Sequence, residues 1–319
     1  MDLDEIDLAD PGFWDRPIAD RATAFDLLRN DDPYRYFDLP GEITEQFPQR
    51  GFHALVRHAD VVEASRRPED FCSGYGGTTA VDLPSSELTR YFGSMISMDD
   101  PRHRRLRSIV SAGFTPRRLA TLEDSVRRIA KEIVDDLLES GPCDFVTEVA
   151  ARLPLQIICE MMGVPREHWG MVFEQSNTIL GGQDEEYVVE GVDIGSQLFM
   201  AAYQLTELMS GLIAERVETP TEDLTSALVH AEVDGEQLTH EEISSFFILL
   251  LVAGNETTRN AISWALNLVT EHPDQRAIWW DDFEGVAASA VEEVVRWASP
   301  VISMRRTATR DGVTLGDRA

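Results

Sequence analysis

The chain has 319 residues, 43% of them hydrophobic, and its 57 acidic and 28 basic side chains leave a formal net charge of −29. That length and apolar share suit one large domain with a sizeable core, and residues 1–319 are read as a single domain. So large a carboxylate excess repels phosphate backbones and argues against nucleic acid as a partner. The acidic opening MDLDEIDLAD has neither the basic nor the apolar region of a signal peptide. A short helix is predicted from Ile18 to Leu28, a strand from Phe52 to Val56, and a short helix after His58 that ends at Pro68. Phe71 to Pro84, rich in glycine, serine and threonine, reads as a long loop. Pro101 suits a first helical position, with Asp99 or Asp100 as cap, in a helix running to Ala112. Leu122, Val126, Ile129, Ile133 and Leu137 recur at helical spacing within 118–139, and Gly141 and Pro142 end that helix. Helices over 150–162 and 198–217 come next, the second after a loop around Gly181 and Gly182.

The clearest element opens at Thr239, where Thr-His-Glu-Glu forms a capping box with Glu242, and runs to Thr270. It would span roughly 45 Å. Its stretch Phe246 to Ala253 is apolar on every side, which predicts a helix buried through a large domain, and is too short to cross a bilayer. A final helix covers 283–298, and strands over 301–308 and 313–315 are predicted to pair through the Asp311-Gly312 turn.

Directly after the apolar stretch comes Ala253-Gly254-Asn255-Glu256-Thr257-Thr258. A buried carboxylate and amide are unfavourable unless paired, and glycine weakens a helix. One reading is a ligand lying against Ala253 and Gly254, with Glu256 and Thr257 handling protons. The other is that the helix simply emerges into solvent at Asn255. Glu293 and Arg296, three apart, share a helix face, as any solvated surface pair does. Arg102 to Arg107 is the one basic cluster; His103 and Arg107 face the same way, and an anionic group fits between them. A plain solvated basic patch is the alternative.

These stretches together resemble the cytochrome P450 family. AGNETTRN is similar to its central-helix signature, AVEEVVRWASP to its Glu-x-x-Arg helix, MDDPRHRRLRSIVSAGFTP to its propionate-binding helix, and RTATRD to a later strand. The resemblance implies a mainly α fold with small β-sheets and a haem b cofactor. It implies that Ala253 and Gly254 leave room for dioxygen and substrate, and that Glu256 and Thr257 deliver protons during dioxygen reduction. His103 and Arg107 would hold one haem propionate and Arg306, rather than Arg305, the other. Glu293 and Arg296 would join a buried, structural salt-bridge network. Some of Arg102, Arg104 and Arg105 would receive an acidic ferredoxin, itself reduced by a ferredoxin reductase from NAD(P)H. AGNETTRN resembles members that oxidise steroids and branched lipids; a polyketide or terpenoid substrate is the alternative.

The family's axial cysteine lies in a late glycine-rich loop. Cys72, Cys143 and Cys159 all precede the central helix, match neither a CxxC pair nor a disulfide framework, and are rejected as axial ligand. The sequence is expected to lack roughly the last quarter of a P450 and, as this polypeptide, to be inactive. No metal ligand is assigned, and reduced thiols in a cytoplasmic protein are expected. Two non-enzymatic readings stay open: a haem-free helical binding or scaffold protein, and an acid-binding helical protein built on the Arg102–Arg107 cluster.

Overall fold

The computed structural model describes residues 1–46, 49–78, 94–181 and 192–316, and helices dominate them. In chain order these are α1 (Pro11–Trp14), α2 (Ile18–Asp31), α3 (Gly41–Gln46), α4 (His58–Ser65), α5 (Arg102–Gly113), α6 (Pro116–Ser140), α7 (Arg152–Met162), α8 (Trp169–Leu180), α9 (Ile194–Glu218), α10 (Leu224–Val229), α11 (His240–Leu250), α12 (Glu256–Glu271), α13 (Pro273–Asp281) and α14 (Phe283–Ala298). The strands are β1 (Tyr36–Asp38), β2 (Gly51–His53), β3 (Phe71–Cys72), β4 (Glu232–Val233), β5 (Glu236–Gln237) and β6 (Thr307–Ala308). They pair as β1–β2, β3–β6 and β4–β5, each antiparallel. The expected mainly α fold with small sheets is therefore present.

Two compact units form, one from Met1–Ser85, Ile96–Asp99 and Ser303–Ala319, the other from Ser86–Met95 and Asp100–Ile302. In the first, Ile6, Leu8, Phe13, Ala24, Leu28 and Phe37 make a buried cluster. The strand predicted over 52–56 is shorter and starts earlier, at Gly51, with Phe37 opposite Phe52. The predicted hairpin between 301–308 and 313–315 does not form. The Asp311-Gly312 turn is there, but β6 pairs with β3, Phe71 opposite Ala308. Side chains fasten the segment after β6: Arg310 pairs with Asp70 at 2.6 Å, Thr309 Oγ1 donates to Glu69 O at 2.9 Å, and Arg67 Nη1 donates to Thr314 O at 2.8 Å. These partners lie more than 230 positions away, so no local pattern announces them. Of the predicted loop 71–84, residues 79–84 fall outside the described residues, as does Gly182.

In the second unit the helix ends obey local chemistry. Thr115 caps α6, and Gly141 closes it at φ +79°. Ile129 and Ile133 of α6 are buried, as their spacing predicts, and α6 packs on α7. Gly163 ends α7 at φ +74°, where a Cβ would lie 2.0 Å from Asp223 Oδ2, so both conformation and space demand glycine. Pro101 itself occupies the cap position of α5, and neither Asp99 nor Asp100 caps it. The Asp99 carboxylate accepts instead from the backbone of Ser73 and Gly74, and Asp100 pairs with Arg104.

α9 packs against α8 and α11. Sequence reading assigned no helix at α8, α10 or α13. For α13 the signal was present, because a proline that ends one helix is also a favoured first residue of the next, and Pro273 does both. The Thr239 capping box forms as predicted. The long central element is not one uniform buried helix, however. Between α11 and α12 it widens into a π-turn, Leu251–Asn255. α11 buries Ile243, Phe246, Phe247 and Ile248, but α12 has no buried residue and Ala253 is already exposed.

Candidate functional site

The π-turn gathers the predicted central-helix residues. Such turns insert one residue into the helical ladder and recur at functional sites. Gly254 faces α7, where a Cβ would come within 3.2 Å of Ile158 Cδ1. Thr257 Oγ1 donates to Ala253 O at 2.7 Å, returning to the turn before it. The Glu256 carboxylate accepts from the Arg259 guanidinium and, at 3.0 Å, from Asn260 Nδ2. Glu256 is 28% exposed, so it is both held and within reach of water. Arg259 Nη1 also reaches Asn177 Oδ1 of α8, at 3.5 Å. Sequence reading missed Arg259, although its i,i+3 spacing to Glu256 was visible.

Asn255 itself is 0% exposed, whereas α12 directly after it has no buried residue, so the helix leaves the core just beyond Asn255 rather than at it. Neither side-chain polar atom of Asn255 has a partner.

On α5, His103 and Arg107 line a recess of about 380 Å³ together with Asp100, Arg104, Ser108 and Ser111. His103 Nδ1 lies 3.9 Å from Asp100 Oδ1, while Arg107 is exposed and has no ion pair among the described residues. Arg105 points elsewhere: it pairs with Glu236, donates to Gln237 O at 2.7 Å, and pairs with Glu242 at 2.9 Å. That ties α5 to the start of α11. The edge-on contact of Phe114 and Phe246, centroids 6.5 Å apart, links the same elements.

In the first unit, Arg305 is engaged, with Nη1 donating to Gln49 Oε1 at 2.6 Å and Nη2 to Gly77 O at 3.3 Å. Arg306 is exposed and donates to Ser73 Oγ. Arg306 therefore keeps more open donors than Arg305.

The expected buried network at Glu293 and Arg296 is not present. The two form a bidentate pair at 2.6 and 2.7 Å, yet their side chains are 60% and 65% exposed, because α14 buries no residue. The guanidinium still holds the Glu293 carboxyl below the usual carboxylate range.

The helical fold with small antiparallel sheets is shared with known proteins. A family model described as Cytochrome P450 matches residues 193–277. The chain is 45% identical over 320 residues to the methyl-branched lipid omega-hydroxylase of Mycobacterium tuberculosis, covering 96% of this chain and 71% of that protein. It is 38% identical over 292 residues to the steroid C26-monooxygenase of Mycolicibacterium smegmatis, covering 91% of this chain and 66% of that protein. The structure of Mycobacterium marinum cytochrome P450 CYP268A2 in complex with pseudoionone superposes with a TM-score of 0.90 at 39% identity, over 100% of this chain and 77% of that one. The chain belongs to the cytochrome P450 family. It is shorter than these relatives, and its last cysteine is Cys159.

Family membership implies haem, whose iron is held by a cysteine thiolate. The residues here fit that group in part. Arg107 and Arg306 are exposed cations suited to propionates, and Ala253 offers an exposed small-residue surface. The thiols do not fit. Cys159 lies inside α7, where burial pushes its thiol up to about 12, the reverse of what a thiolate ligand needs. Cys72 is buried on β3, and Cys143 is exposed between α6 and α7. Among the described residues no group of three or more His, Cys, Asp or Glu is placed to hold a metal ion. No described helix is long and apolar enough to cross a membrane.

Proposed function

We propose that this chain builds the distal face and the propionate contacts of a haem monooxygenase site for an apolar, branched-lipid or steroid-like substrate. The π-turn carries this reading: its exposed small residue, Ala253, has a hydroxyl bonded to its carbonyl, and the partly exposed Glu256 carboxylate follows directly after the turn. In this reading His103 and Arg107 take one propionate and Arg306 the other. Haem b, when bound, supplies the oxidising chemistry. Glu256, steadied by Arg259 and Asn260, takes up protons from water and passes them toward the Thr257 hydroxyl. Ala253 and Gly254 leave space for dioxygen and substrate. The names of the relatives support the substrate class. Electrons would come from NAD(P)H through ferredoxin reductase and ferredoxin, with exposed Arg102 and Arg104 better placed than the engaged Arg105 to meet an acidic partner. The cysteines of this sequence supply no axial donor, so no oxidative step is assigned to them.

Titration with hemin tests the reading. The double variant His103→Ala/Arg107→Ala is expected to bind hemin about tenfold more weakly or worse. Unchanged affinity would remove both residues from propionate binding. The reduced, carbon-monoxide-treated complex of the 319-residue chain is expected to lack the thiolate–haem band; its appearance would overturn the rejection of the three cysteines.

A further inference from the structure

A recess of about 490 Å³ opens in the second unit where the end of α5, the first turns of α6, the end of α7 and the α9–α10 connection meet. None of its lining residues belongs to the central helix or to the His103–Arg107 face. Its volume lies in the range that takes small organic ligands. Phe114, Leu122, Met161 and Leu224 give it an apolar wall.

Three carboxylates and one described guanidinium also line it, and their states differ. Glu160 accepts from Arg128 and, at 2.6 Å, from Ser125 Oγ. Asp223 accepts from Arg216 Nε at 2.7 Å, from Thr221 Oγ1 at 2.7 Å and from Ser226 N at 2.8 Å. Glu222 has a partner as well. Arg118 is the exception. Its Nη1 donates to Gly113 O at 3.2 Å, its Nε is buried without a partner, and no carboxylate pairs with it among the described residues. A guanidinium carries five N–H donors, so most of this one's capacity is unused, and an unmet buried donor is unfavourable. Glu160 and Asp223 are each paired with an arginine outside the recess lining, whereas Arg118 keeps donors to spare at it. A planar guanidinium beside a hydrocarbon wall suits a carboxylate bound in two-pronged fashion with an apolar tail.

We propose that this recess binds a small amphipathic carboxylate, with Arg118 as the anchor and Phe114, Leu122 and Met161 against the tail. The site is independent of the haem reading and draws on none of its residues.

Calorimetric titration of the full chain with octanoate tests it. Saturable one-to-one binding is expected, with octanol and octyltrimethylammonium binding at least about tenfold more weakly for want of a charge-assisted hydrogen bond. Arg118→Gln should lose about tenfold in affinity. Because Arg118 also fastens Gly113, a second variant, Leu122→Trp, fills the recess while keeping the guanidinium, and it should abolish binding with native circular dichroism. His103→Ala/Arg107→Ala should bind octanoate as the wild type does, which separates this site from the haem pocket. The proposal is overturned if octanoate shows no saturable binding or octanol binds equally well. It is equally overturned if Leu122→Trp retains wild-type affinity, or if the His103/Arg107 variant is the one that loses it.

Discussion

A primary amide brings two donors and an acceptor into whatever space it occupies, and at Asn255 none of them meets a protein partner although the side chain is fully buried. Leaving such a group unsatisfied costs about 1–3 kcal/mol, whereas an apolar side chain of similar size carries no such penalty. Asn255→Leu is therefore expected to raise the urea-unfolding free energy by about 1–3 kcal/mol; a loss of stability would mean that the amide is satisfied in solution. Gly163 presents the opposite situation. A methyl group there would meet the Asp223 carboxylate, which is paired with Arg216 in a contact nine-tenths buried on both sides. Gly163→Ala should destabilise the protein by about 2–4 kcal/mol, through the left-handed backbone and the broken buried pair together. A midpoint unchanged in urea would contradict that account.

Among the elements, the central helix is fixed at its start and altered at its middle. Thr239 Oγ1 accepts from Glu242 N, and the Glu242 carboxylate accepts from Thr239 N, so two otherwise orphaned donors are met. Thr239→Ala should lower stability by about 1 kcal/mol, measured in the same unfolding experiment. The link between α6 and α7 responds to pH. Burial pushes the Glu160 carboxyl up, but hydrogen bonds from Arg128 and Ser125 and the charge of Arg128 outweigh it and hold the group below its ordinary range. A carboxyl depressed in the fold adds stability above its unfolded pKa, roughly 4.3, and that stability is lost as pH falls through the folded value. Wild-type urea midpoints should therefore drop more steeply below about pH 4.3 than those of Glu160→Gln. Parallel curves would rule the pair out as an acid-sensitive link.

For the molecule as a whole, apolar surface on α13 and α14 is conspicuous. Ile278, Phe283, Val291, Val295 and Trp297 are all exposed, and Trp280 is 78% exposed. Exposed apolar surface, where it is contiguous, binds partners, dyes or other copies of the chain. The net charge of −29 opposes self-association at long range but is screened by salt. The chain should accordingly bind an environment-sensitive apolar dye, and increasingly self-associate as salt rises. Replacing Val291 and Val295 together by lysine should weaken dye binding while changing stability by no more than about 0.5 kcal/mol. Undiminished dye fluorescence in that variant would place the binding surface elsewhere.

The sequence by itself determined the features that depend on neighbours within about a turn of helix. These include the capping box at Thr239, the glycine stops at Gly141 and Gly163, the limits of α14, and the adjacency of Ala253, Gly254, Glu256 and Thr257. Each arises from donors, acceptors and backbone freedom supplied by residues a few positions apart. Only the tertiary structure decided that β6 pairs with β3, that Arg105 is drawn to Glu236 and Glu242, that Asn255 is enclosed, and that Glu293 and Arg296 stand in solvent. Spacing shows which side chains share a face. What that face meets is set by segments distant in the chain, and burial and pairing of a charged or polar group depend on that meeting.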